Sequence, residues 1–184
     1  MRKLAIFPLL LSCLFATSAC AQEFVLTSPV LQEGDTLTEA QVFDGFGCSG
    51  QNRSPALQWT PGPAGTKSYA LMAYDPDAPT GSGWWHWVVY NLPAGTTALA
   101  ENAGAADGAA LPAGAVQGRT DFGTHAFGGA CPPPGDAPHR YVFTVYALGV
   151  EQIEVPADAS AAMVGFMVHA NVLGQASLTA RYGR

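Results

Sequence analysis

One stretch constrains the chain more than any other: Tyr74-Asp-Pro-Asp-Ala-Pro-Thr-Gly-Ser-Gly-Trp-Trp-His-Trp-Val-Val-Tyr-Asn91. It leaves one apolar run, 69–74, and enters another, 87–90. Apolar runs of that length bounded by Pro and Gly read as buried strands. The segment between them then lies as a loop at the mouth of a sheet, where a rigid scaffold can hold polar groups. Pro76 and Pro79 restrict the backbone and lower the cost of holding Asp75 and Asp77 in one geometry. A preformed binding site is one reading. The other is a proline-rich hairpin whose aspartates only cap turns.

The chain has 184 residues, enough for one domain with a sizeable core. Its 21 glycines and 14 prolines favour many turns and short strands over long helices. The formal charge is −6, and a nucleic-acid partner would require a basic stripe that the sequence lacks.

Arg2-Lys3, the apolar run 4–16 and the small residues Ala19-Cys20-Ala21 predict a secretory signal peptide, residues 1–21, cleaved after Ala21. It is too short for a convincing membrane span. Thr17-Ser-Ala-Cys20 offers a rival, a lipoprotein box that leaves Cys20 lipidated, but the usual leucine of that box is Thr17 here. The expected mature chain, 22–184, is a single domain, exported to the periplasm and without an integral membrane span. It keeps Cys48 and Cys131, and an exported protein with one remaining pair most simply forms one disulfide. Two unpaired buried thiols are the alternative.

Along the mature chain, 24–31, 41–43 and 52–59 carry short strand signals, and 92–116 reads as a long irregular excursion within the domain. The clearest strand is 139–148, apolar on both faces and therefore central and covered on both sides. Residues 156–174 predict the one good helix, with Asp158 capping its start, Gly174 at its end, and Met163, Phe166, Met167 and Ala170 facing the core. Residues 177–182 return as a short final strand. The fold class is mainly β.

Asp75-Pro-Asp-Ala-Pro79, Trp85-His86-Trp87 leading to Asn91, Gly128-Gly129 with Pro132-Pro133, and His139-Arg140-Tyr141 together resemble the phosphatidylethanolamine-binding protein family. The segments 47–57, 80–85 and 164–171 are similar to its bacterial, Raf-kinase-inhibitor-like branch. The likeness spans essentially the whole mature chain. It implies two antiparallel sheets in a Greek-key sandwich with one late helix, and a small pocket at one end of the strands for phosphate, acetate or a phosphoryl headgroup. Carried over by motif, the wall of that pocket is Asp75, Asp77, Pro79, Trp85, His86, Gly129, Pro132, His139 and Tyr141. The long C-terminal helix that borders the pocket in animal members has no counterpart before Arg184.

The residue types make chemical sense beside the resemblance. An anion needs donors, and His86, His139, Tyr141 and loop N–H groups around Gly129 can supply them. A carboxylate beside an imidazole fixes which nitrogen points inward, so Asp75 and Asp77 are expected as orienters or as acceptors for a ligand ammonium. Trp84, Trp85 and Trp87 either shield the site or are plain core aromatics. Arg140 alternates away from Tyr141 and is expected in a structural ion pair; His125 is expected at a loop surface and His169 on the helix.

A zinc site from His86, His139 and one aspartate has acceptable ligand types but no HExxH or close paired spacing. A hydrolase with Ser82 as nucleophile lacks the glycine that a Gly-x-Ser-x-Gly elbow needs first. The expectation is a non-enzymatic, exported binder of a small anion or phosphoryl headgroup, with no cofactor or metal. The alternative is a regulator or inhibitor of a protein kinase or protease, its pocket incidental.

Overall fold

Apolar runs without a polar face belong inside a molecule, and the longest in this chain become the middle of one sheet. The computed structural model describes residues 23–184. The expected signal peptide, 1–21, with Cys20 and the cleavage point after Ala21, lies outside the described residues. In chain order the strands are β1 (Leu26–Thr27), β2 (Asp44–Gly45), β3 (Cys48–Ser49), β4 (Leu57–Trp59), β5 (Ser68–Asp75) and β6 (Trp84–Pro93). They continue as β7 (Ala98–Leu99), β8 (Val116–Gln117), β9 (His139–Leu148) and β10 (Val172–Tyr182). One α-helix, α1 (Ala161–Asn171), precedes β10.

The main sheet is antiparallel in the order β10-β9-β5-β6-β8, and a three-stranded sheet, β1-β4-β7, lies apart from it. Strand β9 buries both faces, as its alternation requires. Tyr141, Phe143, Val145 and Ala147 join a core with Leu57, Trp59 and Leu99 of the smaller sheet. Tyr146 and Leu148 join a second core with Ile153 and with Val164 and Val168 of α1. The excursion 92–116 is mostly turns, with β7 at one end and β8 at the other.

The helix differs from its expected form. It begins after Ser160, whose side chain accepts from the Met163 N–H at 3.2 Å, so Ser160 and not Asp158 is the cap. The chain passes straight from Asn171 into β10, which places Gly174 at a strand irregularity beside Ala147 instead of at a helix end. The inner face is Ala161, Val164, Gly165 and Val168, while Met163 is 49% and Phe166 73% exposed. A helix that is apolar all round gives periodicity no means of choosing its inner face. The signal at 41–43 also resolves differently: Glu39–Gln41 forms a 3₁₀ turn in a capping box with Thr38, and Val42 bridges to Ala130.

Two features fix the geometry at the end of the sheet where β5 turns into β6. Ala73 pairs with Trp87 and Tyr74 with Trp85, which leaves His86 as the extra residue of a β-bulge. Cys48 and Cys131 form a disulfide that joins β3 to the loop before β9 across a sequence separation of 83.

In the chain-entropy account, Cys48→Ser with Cys131→Ser should lower stability by about 4 kcal/mol and the unfolding midpoint by roughly 10 °C. A midpoint unchanged in calorimetry would contradict that role. Ser160→Ala should cost about 1 kcal/mol in denaturant titration, and Asp158→Ala a few tenths at most; the reverse order would restore Asp158 as the cap.

Candidate functional site

The β5–β6 connection is built on the Asp75 carboxylate. Its Oδ1 accepts from the N–H groups of Asp77 at 2.8 Å and Ala78 at 3.1 Å, which closes the turn through Pro76. Its Oδ2 accepts from His139 Nδ1–H at 2.7 Å, with both side chains 4% exposed. A carboxylate can only accept, so Nδ1 of His139 carries the proton and Nε2 is the nitrogen left over. Nε2 lies 3.5 Å from Asp136 Oδ2. Asp75 therefore orients His139.

Asp77 does something else. Its carboxylate takes a forked pair of bonds from Arg140, Nη2 at 2.7 Å and Nε at 2.9 Å, plus the Arg140 backbone N–H at 2.9 Å. These bonds hold the Asp77 carboxyl down at a pKa of about 2. Arg140 thus makes the expected ion pair, and Asp77 is its partner.

His86 enters from the bulge in β6. Its Nδ1–H donates to the Gly128 carbonyl at 2.7 Å, and the Gly128 N–H returns a bond to the His86 carbonyl at 2.9 Å. The ring is 4% exposed. Burial pushes its pKa below the ordinary imidazole value, against the opposing pull of the Gly128 carbonyl and the Asp75 charge. The ring is therefore neutral at neutral pH, and its Nε2 presents a lone pair.

That nitrogen is unpartnered. Among the described residues, His86 Nε2, Tyr141 Oη and Trp84 Nε1 are buried without a hydrogen-bond partner, and all three residues line one pocket of about 160 Å³. Burial first, and the Asp75 charge second, raise the Tyr141 pKa far above the usual phenol value, so it remains an O–H donor. The Tyr141 ring packs edge-on to His86, centroids 5.0 Å apart. Phe46, Phe122, Pro79, Pro132 and Pro133 complete an apolar wall.

Of the nine wall residues expected from the sequence, Asp75, Pro79, His86, Pro132, His139 and Tyr141 meet at this pocket. Three do not. Asp77 turns outward to Arg140. Trp85 packs on Tyr74, ring centroids 4.4 Å apart, and against the core beneath α1, because the bulge at His86 puts it on the other face. Gly129 lies behind the wall, its N–H taken by Asn52 Oδ1 at 2.7 Å. A Cβ there would come within 2.3 Å of the Gln41 carbonyl, so glycine serves close backbone approach. Trp87 is a core aromatic against Phe127.

Sequence reasoning missed Phe46 and Phe122, each a lone aromatic beside glycine with no periodicity to mark it. Ser82 sits exposed on the connecting turn and not on the pocket wall. His125 and His169 are exposed as well. Among the described residues no group of three or more His, Cys, Asp or Glu could hold a metal ion, and no helix is long and apolar enough to cross a membrane.

Comparison with known proteins agrees with this architecture. The family model described as phosphatidylethanolamine-binding protein matches residues 27–183. YbcL of Escherichia coli (strain K12) is 55% identical over 165 residues, 90% of this chain and 90% of YbcL. YbhB of the same organism is 54% identical, over 85% of this chain and 98% of YbhB. The crystal structure of E. coli YbcL, described as a new member of the mammalian PEBP family, superposes with a TM-score of 0.86 over 89% of this chain and 99% of that one. A PEBP homologue from Chlamydia trachomatis, 30% identical, gives 0.72 over 88% and 97%. With its β-rich sandwich, late helix and full-length match, the chain belongs to the phosphatidylethanolamine-binding protein family.

Proposed function

We propose that this protein is an exported, non-enzymatic binder of a small oxyanion: a phosphate, a carboxylate or a phosphoryl headgroup. Family membership supports a binding protein. The observation that carries the finer reading is the set of three buried, unpartnered polar atoms, His86 Nε2, Tyr141 Oη and Trp84 Nε1, on one small pocket. Each such group costs on the order of 1–3 kcal/mol while unsatisfied, and a ligand oxygen removes that cost.

Tyr141 and Trp84 donate. His86 accepts from a protonated ligand oxygen, or takes up a proton and donates through Nε2. Either route brings one proton into the complex. Export is supported by the Arg2-Lys3 start, the apolar run after it, and a disulfide, which persists in oxidising compartments. Of the thiol and aliphatic hydroxyl on the wall, Cys131 is bridged and the Thr80 hydroxyl donates to the Gly83 carbonyl, so neither is poised as a nucleophile.

The sign of the pH dependence comes from His86. Its pKa in the empty protein lies below the usual imidazole value, and a bound anion raises it. Binding therefore takes up a proton and tightens as pH falls, levelling off once the empty protein's His86 is itself protonated. Calorimetric titration of residues 22–184 with sulfate, which does not titrate in this range, should give tighter binding at pH 5.5 than at 7.5. His86→Ala should abolish it. Flat isotherms for sulfate, phosphate and phosphoethanolamine alike would remove the pocket function and turn the search to a protein partner.

Tyr141→Phe deletes a buried, unpartnered hydroxyl, so it should raise stability by about 1 kcal/mol while weakening anion binding several-fold. Loss of stability with unchanged affinity would make Tyr141 a structural residue.

A further inference from the structure

We infer that the pocket selects an oxyanion carried on an apolar stem, and that Phe46 is the residue that makes the selection. This rests on the anion-binding reading and names the class of ligand it admits.

The pocket is polar at its floor and apolar at its mouth. Its one carboxylate, Asp75, is 3% exposed and already engaged by two backbone N–H groups and His139. Asp77 and Asp136 are outside its wall. An ammonium-bearing stem therefore finds no free carboxylate to replace its water. A ligand leaving the floor instead meets the rings of Phe46 and Phe122, 5.9 Å apart and within 16° of parallel.

Phe46 is held at the mouth at a cost. It is 70% exposed, and its φ of 52° is in the left-handed region that a bulky residue seldom adopts. Two devices keep it there. Arg184 donates to the carbonyls of Phe46 at 3.3 Å and Gly47 at 2.9 Å on one lip, and to the Pro132 carbonyl at 2.7 Å on the other. The Cys48–Cys131 disulfide joins the same two lips covalently. An exposed ring on a strained and doubly restrained backbone, beside a pocket with unmet polar groups, is placed to contact what the pocket holds.

The test is titration of residues 22–184 with inorganic phosphate, phosphoethanolamine and phenyl phosphate at one pH. Phenyl phosphate should bind on the order of tenfold more tightly than inorganic phosphate, and phosphoethanolamine no more tightly. Phe46→Ala should erase the phenyl advantage, lowering phenyl phosphate affinity far more than that of inorganic phosphate. Arg184→Ala, which loosens the lips, should reduce that advantage in the same sense. Phosphate binding without a phenyl preference, or a preference that survives Phe46→Ala, overturns this inference alone. No binding by any of the three overturns the anion reading with it.

Discussion

A buried imidazole that gives its Nδ1 proton to a backbone carbonyl has only one nitrogen left to use, and the site depends on that constraint. The bond from His86 to Gly128 fixes the ring, its tautomer and the direction of Nε2. It is available because β6 carries one extra residue, and because the loop that supplies the carbonyl is itself pinned. The Gly129 N–H goes to Asn52, the Ala130 N–H to the Gln41 carbonyl, and the Ala130 carbonyl receives the Phe43 N–H. These backbone donors are satisfied within the protein; of the four unpartnered buried side-chain atoms among the described residues, three lie on the pocket wall and the fourth, Trp59 Nε1, does not.

The rest of the fold supports that loop and its neighbours. The two-sided core holds β5, β6 and β9 rigid, and from their ends come Asp75, His86, His139 and Tyr141. Asp75 commits its carboxylate to the turn and to His139, so one buried charge organises both a backbone and a ring. Arg140 and Asp77 brace the outside of the same corner. The disulfide and Arg184 brace the opposite lip. The unpartnered Tyr141 hydroxyl and the left-handed backbone at Phe46 each cost the protein stability.

Much of this was legible in the residues, for identifiable reasons. The runs 69–74, 87–90 and 139–148 could only be buried strands, and the Asp-Pro-Asp turn between two of them had to lie at a sheet end. The departures share a cause: local pattern does not report long-range geometry. One bulged residue at His86 reversed the side on which Trp85 was expected. Asp75 and Asp77 look equivalent in sequence, and only the approach of β9 separates the buried one from the ion-paired one. The Gly129 N–H was spoken for by Asn52, distant in the chain. In α1, apolar residues on every side hid the inner face, and Ser160 competed successfully with Asp158 for the cap.

If the pocket binds anions as proposed, His86 is neutral and protonated on Nδ1 without ligand, and sulfate, which brings no proton, must give the ring a second one. Nitrogen-15 NMR of the imidazole rings measures this directly, with His86 assigned by its loss in His86→Ala. At pH 7.5 the empty protein should show His86 as the neutral Nδ1–H tautomer, and saturating sulfate should convert the same ring to imidazolium. A ring protonated on Nε2 in the empty protein, or one whose protonation does not respond to sulfate, would contradict the account.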